Sequence, residues 1–525
     1  MKKIILILLF PLVVFAQNEK QQALELPDFI ITGTRGIDVP ILQKKKPKLI
    51  PVLTGDFFMP VFSPEEFVPA VLTNPYEKDV KLFTPAENLE GKVILGVGRY
   101  TLPAGEFSFI KNLSGLILNL NAMGSNTTDY EANSGYNNTV ISLGGDYFLK
   151  GGGDFFNGTK FSFDGRYFRN EYKMFASANP QDERNSTIFN GRASISNNAY
   201  KYLSYGFSFN AQQFEFNYLD TKESTISGAA NLEFKTSGFN VAVKMDYTNQ
   251  KIKNNLFTDD NYSILSSDAV IKLKPGEGMQ AGMGIYMANY TDHNFLMPKA
   301  DLELSFSGNL TLFADFSPAI EFLPFSRIVS INRYTDFIPS VFQKKNADIK
   351  VSLRYEYGTY FEITGGAGFA SYENFLYFED NINSGVFTPG AIDAKRYYSF
   401  LKLNFYPGPM GYFYGDFTFQ SIKDNNDMFV PYQPALDASL VYGYDFEMGI
   451  LLKASFDFQM SAYADAANTD KLPSFQSLGF SIGYKLLKNL TITLNLDNIT
   501  NNNNYFFRGY KEKPFDIVAG VDYRW

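Results

Sequence analysis

The chain has 525 residues, a formal net charge of −8 and a mean hydropathy of −0.16, and 17% of its residues are aromatic. It contains no cysteine and one histidine, His293, which excludes disulfide frameworks, thiolate or multi-histidine metal sites and cysteine chemistry. No basic stripe points to nucleic acid, and no Gly-rich phosphate loop, dinucleotide fingerprint or EF-hand pattern calls for a cofactor or metal; neither is expected.

Residues 1–16 read as a cleaved signal peptide. Lys2 and Lys3 precede the apolar run Ile4–Phe15, and Val14-Phe15-Ala16 ends it as a small-residue cleavage site. The run is too short to span a bilayer. Removal leaves 509 residues and takes two lysines with it, so the charge falls from −8 to −10. Residues 17–90 hold nine prolines, which leave few windows for helix or central strand. This stretch is expected to be extended and irregular, with Lys44, Lys45, Lys46 and Lys48 as a solvated basic knot.

From Gly91 onward the period is two. Leu490, Ile492, Leu494 and Leu496 alternate with Thr491, Thr493, Asn495 and Asp497, and Phe515–Trp525 places Phe, Ile, Ala, Val, Tyr and Trp on its odd positions. Similar alternation runs through Leu116–Ala122, Tyr205–Ala211, Leu302–Phe306 and Leu452–Met460. The strand candidates are about 9–14 residues long, enough for a tilted strand to cross a bilayer. Tight turns, such as Thr236-Ser237, Gly308-Asn309 and Lys488-Asn489, alternate with long polar loops near 124–137, 170–185, 250–261, 319–346, 371–393, 421–432, 461–473 and 500–513. Apolar-out and polar-in strands with short turns on one side and long loops on the other predict a closed antiparallel transmembrane β-barrel of about 22 strands over residues 91–525. An even count returns the C-terminus to the side where the first strand begins.

Ligands of such barrels meet the long loops. Arg327, Arg333 and Tyr334 in loop 319–346, and Tyr372, Phe375 and Tyr377 in loop 371–393, are the candidate ligand-binding residues. Their rings and guanidinium groups could stack on sugars or hold anionic groups; the competing reading is loops folded over the mouth. His293 has no evident nucleophile or orienting carboxylate, so it reads as a solvated loop residue and no catalytic residue is expected.

Three segments resemble the TonB-dependent receptors of Gram-negative outer membranes. Asp28-Phe29-Ile30-Ile31-Thr32-Gly33-Thr34-Arg35 is similar to the family's energy-coupling box, Asn498-Ile499-Thr500-Asn501 with Tyr505 resembles its penultimate-strand ending, and Gly96–Tyr100 resembles a first barrel strand. Tyr523 and Trp525 close the chain as an aromatic signal for barrel-assembly machinery. The resemblance implies an outer-membrane receptor that binds and conducts a solute, with a TonB-like inner-membrane transducer as partner, and no enzyme. An unpaired Ile/Thr-rich box would add as a strand to that partner's sheet edge. The family's plug domain is longer than the 55 residues of 36–90. The open alternatives are therefore a plugless accessory, structural or secretion-linked channel filled by a partner protein, or a passive porin.

Overall fold

The computed structural model describes residues 90–525 apart from Gly152, 257–259, Asp292, 381–383, 409–410 and Glu447. The signal peptide, the proline-rich stretch and the coupling box at 28–35 lie outside the described residues.

Each strand pairs antiparallel with its neighbours in sequence, from Gly91–Gly98 and Thr101–Leu113 onward. The last strand, Asp516–Arg524, returns to pair with the first, from Lys92↔Arg524 to Gly98↔Val518. Backbone bonds Glu90 N to Trp525 O (2.7 Å) and Trp525 N to Gly91 O (3.0 Å) finish the seam. The result is a closed barrel of 22 strands, with no edge left unpaired at the seam. One strand position is built from two pieces: Leu310–Phe316 and Ala319–Pro324 both pair with Ser340–Tyr357, the interruption falling at Ser317-Pro318. Proline has no N–H for the ladder, which accounts for the break.

Side chains sort by the alternation. Phe161, Phe163, Phe207, Phe209 and Ile226 stand exposed on the outer face. Inward positions carry cross-strand ion pairs, among them Lys160–Asp146 (3.0 Å), Lys92–Glu106 (2.7 Å) and Lys299–Asp268 (3.2 Å). An apolar exterior and a charged interior suit a wall between lipid and water. Inward rings are accommodated by glycine: a Cβ on Gly368 would lie 2.4 Å from the Tyr398 ring.

Tight turns such as Ser114-Gly115, Gly308-Asn309 and Lys488-Asn489 join the strands at one end, where Tyr147, Tyr360, Tyr484 and Tyr523 form an exposed aromatic rim. At the other end several strands run tall, including Phe361–Glu379 and Thr388–Gly408 with 19 and 21 residues. These exceed the roughly 9–11 residues that a bilayer requires, so the wall stands well clear of the hydrocarbon.

Two loop boundaries differ from the sequence reading. The loop expected at 319–346 is confined to 325–339, where Phe325–Ile331 forms a short helix, and the loop expected at 371–393 is confined to 380–387. Tyr372, Phe375 and Tyr377 therefore sit on a strand, around a bulge at which Asn374 adopts φ 59°.

Candidate functional site

The long-loop end of the barrel is roofed by its own loops. Tyr172, Phe214, Phe216, Phe325, Ile328, Tyr334, Phe387 and Tyr510 come from widely separated strands and loops, yet form one buried apolar cluster. Tyr334 and Tyr510 stack at 3.4 Å between ring centroids, and Phe387 packs against Tyr432 and Phe507. Rings from opposite parts of a barrel wall meet only if their loops reach over the lumen.

The 325–339 segment is the centre of this lid, and polar bonds tie it to wall strands far from its own. Glu223, buried on strand Thr221–Lys235, accepts hydrogen bonds from Ser326 N (3.1 Å), Ser326 Oγ (2.6 Å) and Gln250 Nε2 (2.8 Å). Gln250 Nε2 also donates to Pro339 O at 3.0 Å. Arg184 Nη1 donates to Thr335 O (2.6 Å) while its guanidinium lies 4.0 Å from the Tyr218 ring centroid, and Tyr218 Oη donates to Asp336 (2.9 Å). A buried carboxylate with several donors and a buried guanidinium on a ring are costly to expose singly, so they fix where the segment lands.

The other loops are stitched to this segment. Asp336 N donates to Phe387 O (2.7 Å) and Phe387 N to Tyr334 O (3.1 Å). Tyr510 Oη donates to Gly385 O at 2.6 Å. Gly385 has φ 70°, and a Cβ there would meet Ala176 O at 2.4 Å, so this crossing of loops requires glycine.

The six predicted ligand-binding residues divide. Arg333 lies among the rings of Tyr136, Tyr172 and Tyr334, at 5.1, 5.1 and 4.9 Å, and its Nη2 donates to Tyr334 Oη at 2.7 Å. The Tyr172 hydroxyl donates to the Arg333 carbonyl. Burial pushes the Tyr334 phenol up to about 12 even though Arg333 pulls it back, so the hydroxyl stays protonated. Burial also raises the Glu512 carboxyl against the pull of Arg333. Arg333 and Tyr334 are thus engaged inside the lid. Tyr372 is buried, and Phe375 and Tyr377 pack with Ile392 against Ala394, Ile422 and Val430. Arg327, on the lid helix and half-buried, has no side-chain hydrogen bond or ion pair among the described residues.

His293 begins a strand and is exposed, with Nδ1 2.7 Å from Thr291 O and its ring stacked on Tyr290. Tyr523 and Trp525 stack on each other at 5.9 Å beside the seam. Glu223, Gln250, Arg184 and Tyr510 escaped the sequence reading. Glu223 and Gln250 fall on inward positions of their alternating strands, the one signal that could have placed them at the lumen.

No family model and no curated protein matches the chain. Solved structures do. The ferric-catecholate import receptor Fiu from E. coli K12 is 12% identical with a TM-score of 0.64, over 84% of this chain and 82% of that one. The siderophore receptor PiuA from Acinetobacter baumannii is 11% identical with a TM-score of 0.62, over 83% and 82%. The copper transporter OprC is 11% identical with a TM-score of 0.63, over 83% and 81%. The shared feature is the fold. The chain forms a large closed antiparallel barrel resembling TonB-dependent outer-membrane receptors.

Proposed function

We propose that this chain is an outer-membrane receptor that binds a solute at its looped mouth and conducts it through the barrel, without catalysing a reaction. The observation that carries the reading is the lid: loops from several strands are docked onto the lumen mouth by buried bonds. A passive pore has no use for a roof held this firmly. The fold shared with a ferric-catecholate import receptor, a siderophore receptor and a copper transporter supports the same reading. Arg327 is the predicted residue best placed to meet an anionic solute, since Arg333 is committed to its tyrosines.

Residues 28–35 would supply the contact to a TonB-like inner-membrane transducer, an extended run adding to a sheet edge. A barrel filled by a partner protein is the second reading, favoured by the shortness of 36–90. Purified full-length protein in planar bilayers is expected to show no large stable conductance, and deleting residues 26–35 is expected to abolish binding to the transducer's C-terminal domain. A large steady conductance would make it a porin. Transducer binding unchanged by the deletion would end the coupling assignment.

A further inference from the structure

The turn end of the barrel carries a feature that solute passage does not use. Its connections are mostly two or three residues, but the one between strands Tyr136–Phe148 and Lys160–Lys173 runs eleven and contains the short helix Gly153–Phe156. This connection and the neighbouring turn before strand Leu203–Phe216 are built together around Asn197, which is 1% exposed. Asn197 Nδ2 donates to Phe155 O (3.2 Å), Asn157 O (3.1 Å) and Thr159 Oγ1 (2.9 Å), and its Oδ1 accepts from Ala199 N (2.9 Å) and Tyr200 N (3.2 Å). The Phe155 ring meets Phe156 and Tyr200 edge-on at 4.8 and 5.5 Å.

Where the helix lies is decided by Tyr205. Along its strand Tyr205 shares the outer face with Phe207 and Phe209, which are 49% and 51% exposed, yet Tyr205 is 7% exposed. Phe155 covers it, stacked at 5.4 Å and 23°. The helix is therefore folded back onto the lipid-facing side of the wall, outside the lumen. Phe156 on the helix and Tyr202 on the neighbouring turn stay open to the outside, 50% and 57% exposed. Tyr147 and Phe161, exposed on the two strands that this connection joins, pack on each other at 6.5 Å between ring centroids. Lys150 and Lys201 flank Phe156 and Tyr202, Lys201 Nζ lying 5.3 Å from the Tyr202 ring.

We propose that Phe155, Phe156, Tyr200 and Tyr202 form an interfacial foot, seated in the headgroup–acyl boundary of the leaflet at the turn end, whose occupant is phospholipid. The face is continuous with the apolar belt that lipid covers. Amphipathic rings favour that boundary, and the two lysines stand where lipid phosphates lie. Because the foot is tied through Asn197, it fixes the depth and tilt of this part of the wall and not merely its solvation.

The chain's lack of cysteine makes the test clean. Full-length Phe156→Cys carries a nitroxide in vesicles of phosphatidylethanolamine and phosphatidylglycerol, and collisions with oxygen are compared with those of a water-soluble nickel chelate. Leu143→Cys on the outer wall and Asn309→Cys at a turn tip are the lipid and water references. Oxygen is expected to dominate at 156, as at 143, and nickel at 309. A label at 156 that behaves like 309 would overturn the proposal and leave a surface offered to water or to a soluble protein. Tyr202→Cys gives the same reading should Phe156→Cys fail to assemble.

Discussion

Glu223 holds the lid segment down with a carboxylate that, among the described residues, has no ion-pair partner, only neutral donors from Ser326, Gln250 and Thr225. Glu223→Ala leaves those buried donors unpaired, a loss of about 1–3 kcal/mol. The lid should open more often while the barrel keeps its heat-resistant mobility on gels; a variant whose lid amides exchange as slowly as wild type would refute the role. Glu512 gives a second residue-scale test through pH. Its folded pKa is raised, so its contribution to lid stability is whole below the ordinary carboxylate value and is lost as pH rises through the folded one. Asp465 has the opposite sign. Burial pushes its carboxyl up, but hydrogen bonds from Thr469 and Asp470 hold it below its ordinary value, so its turn is stable above that value and loosens as pH falls. Acidification corrected for intrinsic exchange should slow the lid amides near Glu512 and speed those at 465–470. Shifts of the same sign at both places would contradict the assignments.

At the scale of elements, the lid helix depends on packing and not on propensity. Phe325–Ile331 is seven residues long, its N-cap Pro324 makes no side-chain capping bond, and it buries Phe325, Ile328 and Val329. So short a helix is not stable alone. Phe325→Ala should remove about 3–5 kcal/mol of lid stability and speed exchange across 325–339 on the order of a hundredfold or more; an effect confined to residue 325 and its neighbours would mean the segment is held by its polar bonds and not by packing. The same packing explains what the sequence concealed. Strands were legible wherever one face met lipid and the other water. Near the mouth Leu376 and Phe378 are apolar because the lid cluster buries them, and the bulge after Tyr372 shifts the alternation by one, so the period fades and the strand top reads as loop. The helix carries no cap or period to announce it. The partners of Arg333, Tyr136 and Tyr172, lie far away in sequence, and no local pattern could have joined them.

For the whole molecule, 17% aromatic content with mean hydropathy near zero now has two causes. Part of it lines the lipid-facing wall and rim, as the alternation foretold. The rest fills a second, roof-like core over the mouth, which alternation could not show. The barrel, its closure and its strand number followed from period and turn spacing; the roof followed only from tertiary contacts. Hydrogen exchange by mass spectrometry on the full-length protein in lipid nanodiscs tests that roof most directly. Peptides covering 325–339 and 384–387, with the amides of Tyr334-bonded Phe387 and of Asp336 among them, should be protected to within about tenfold of the neighbouring barrel strands. Exchange of these peptides at the rate of free loops would show an open mouth and contradict the account.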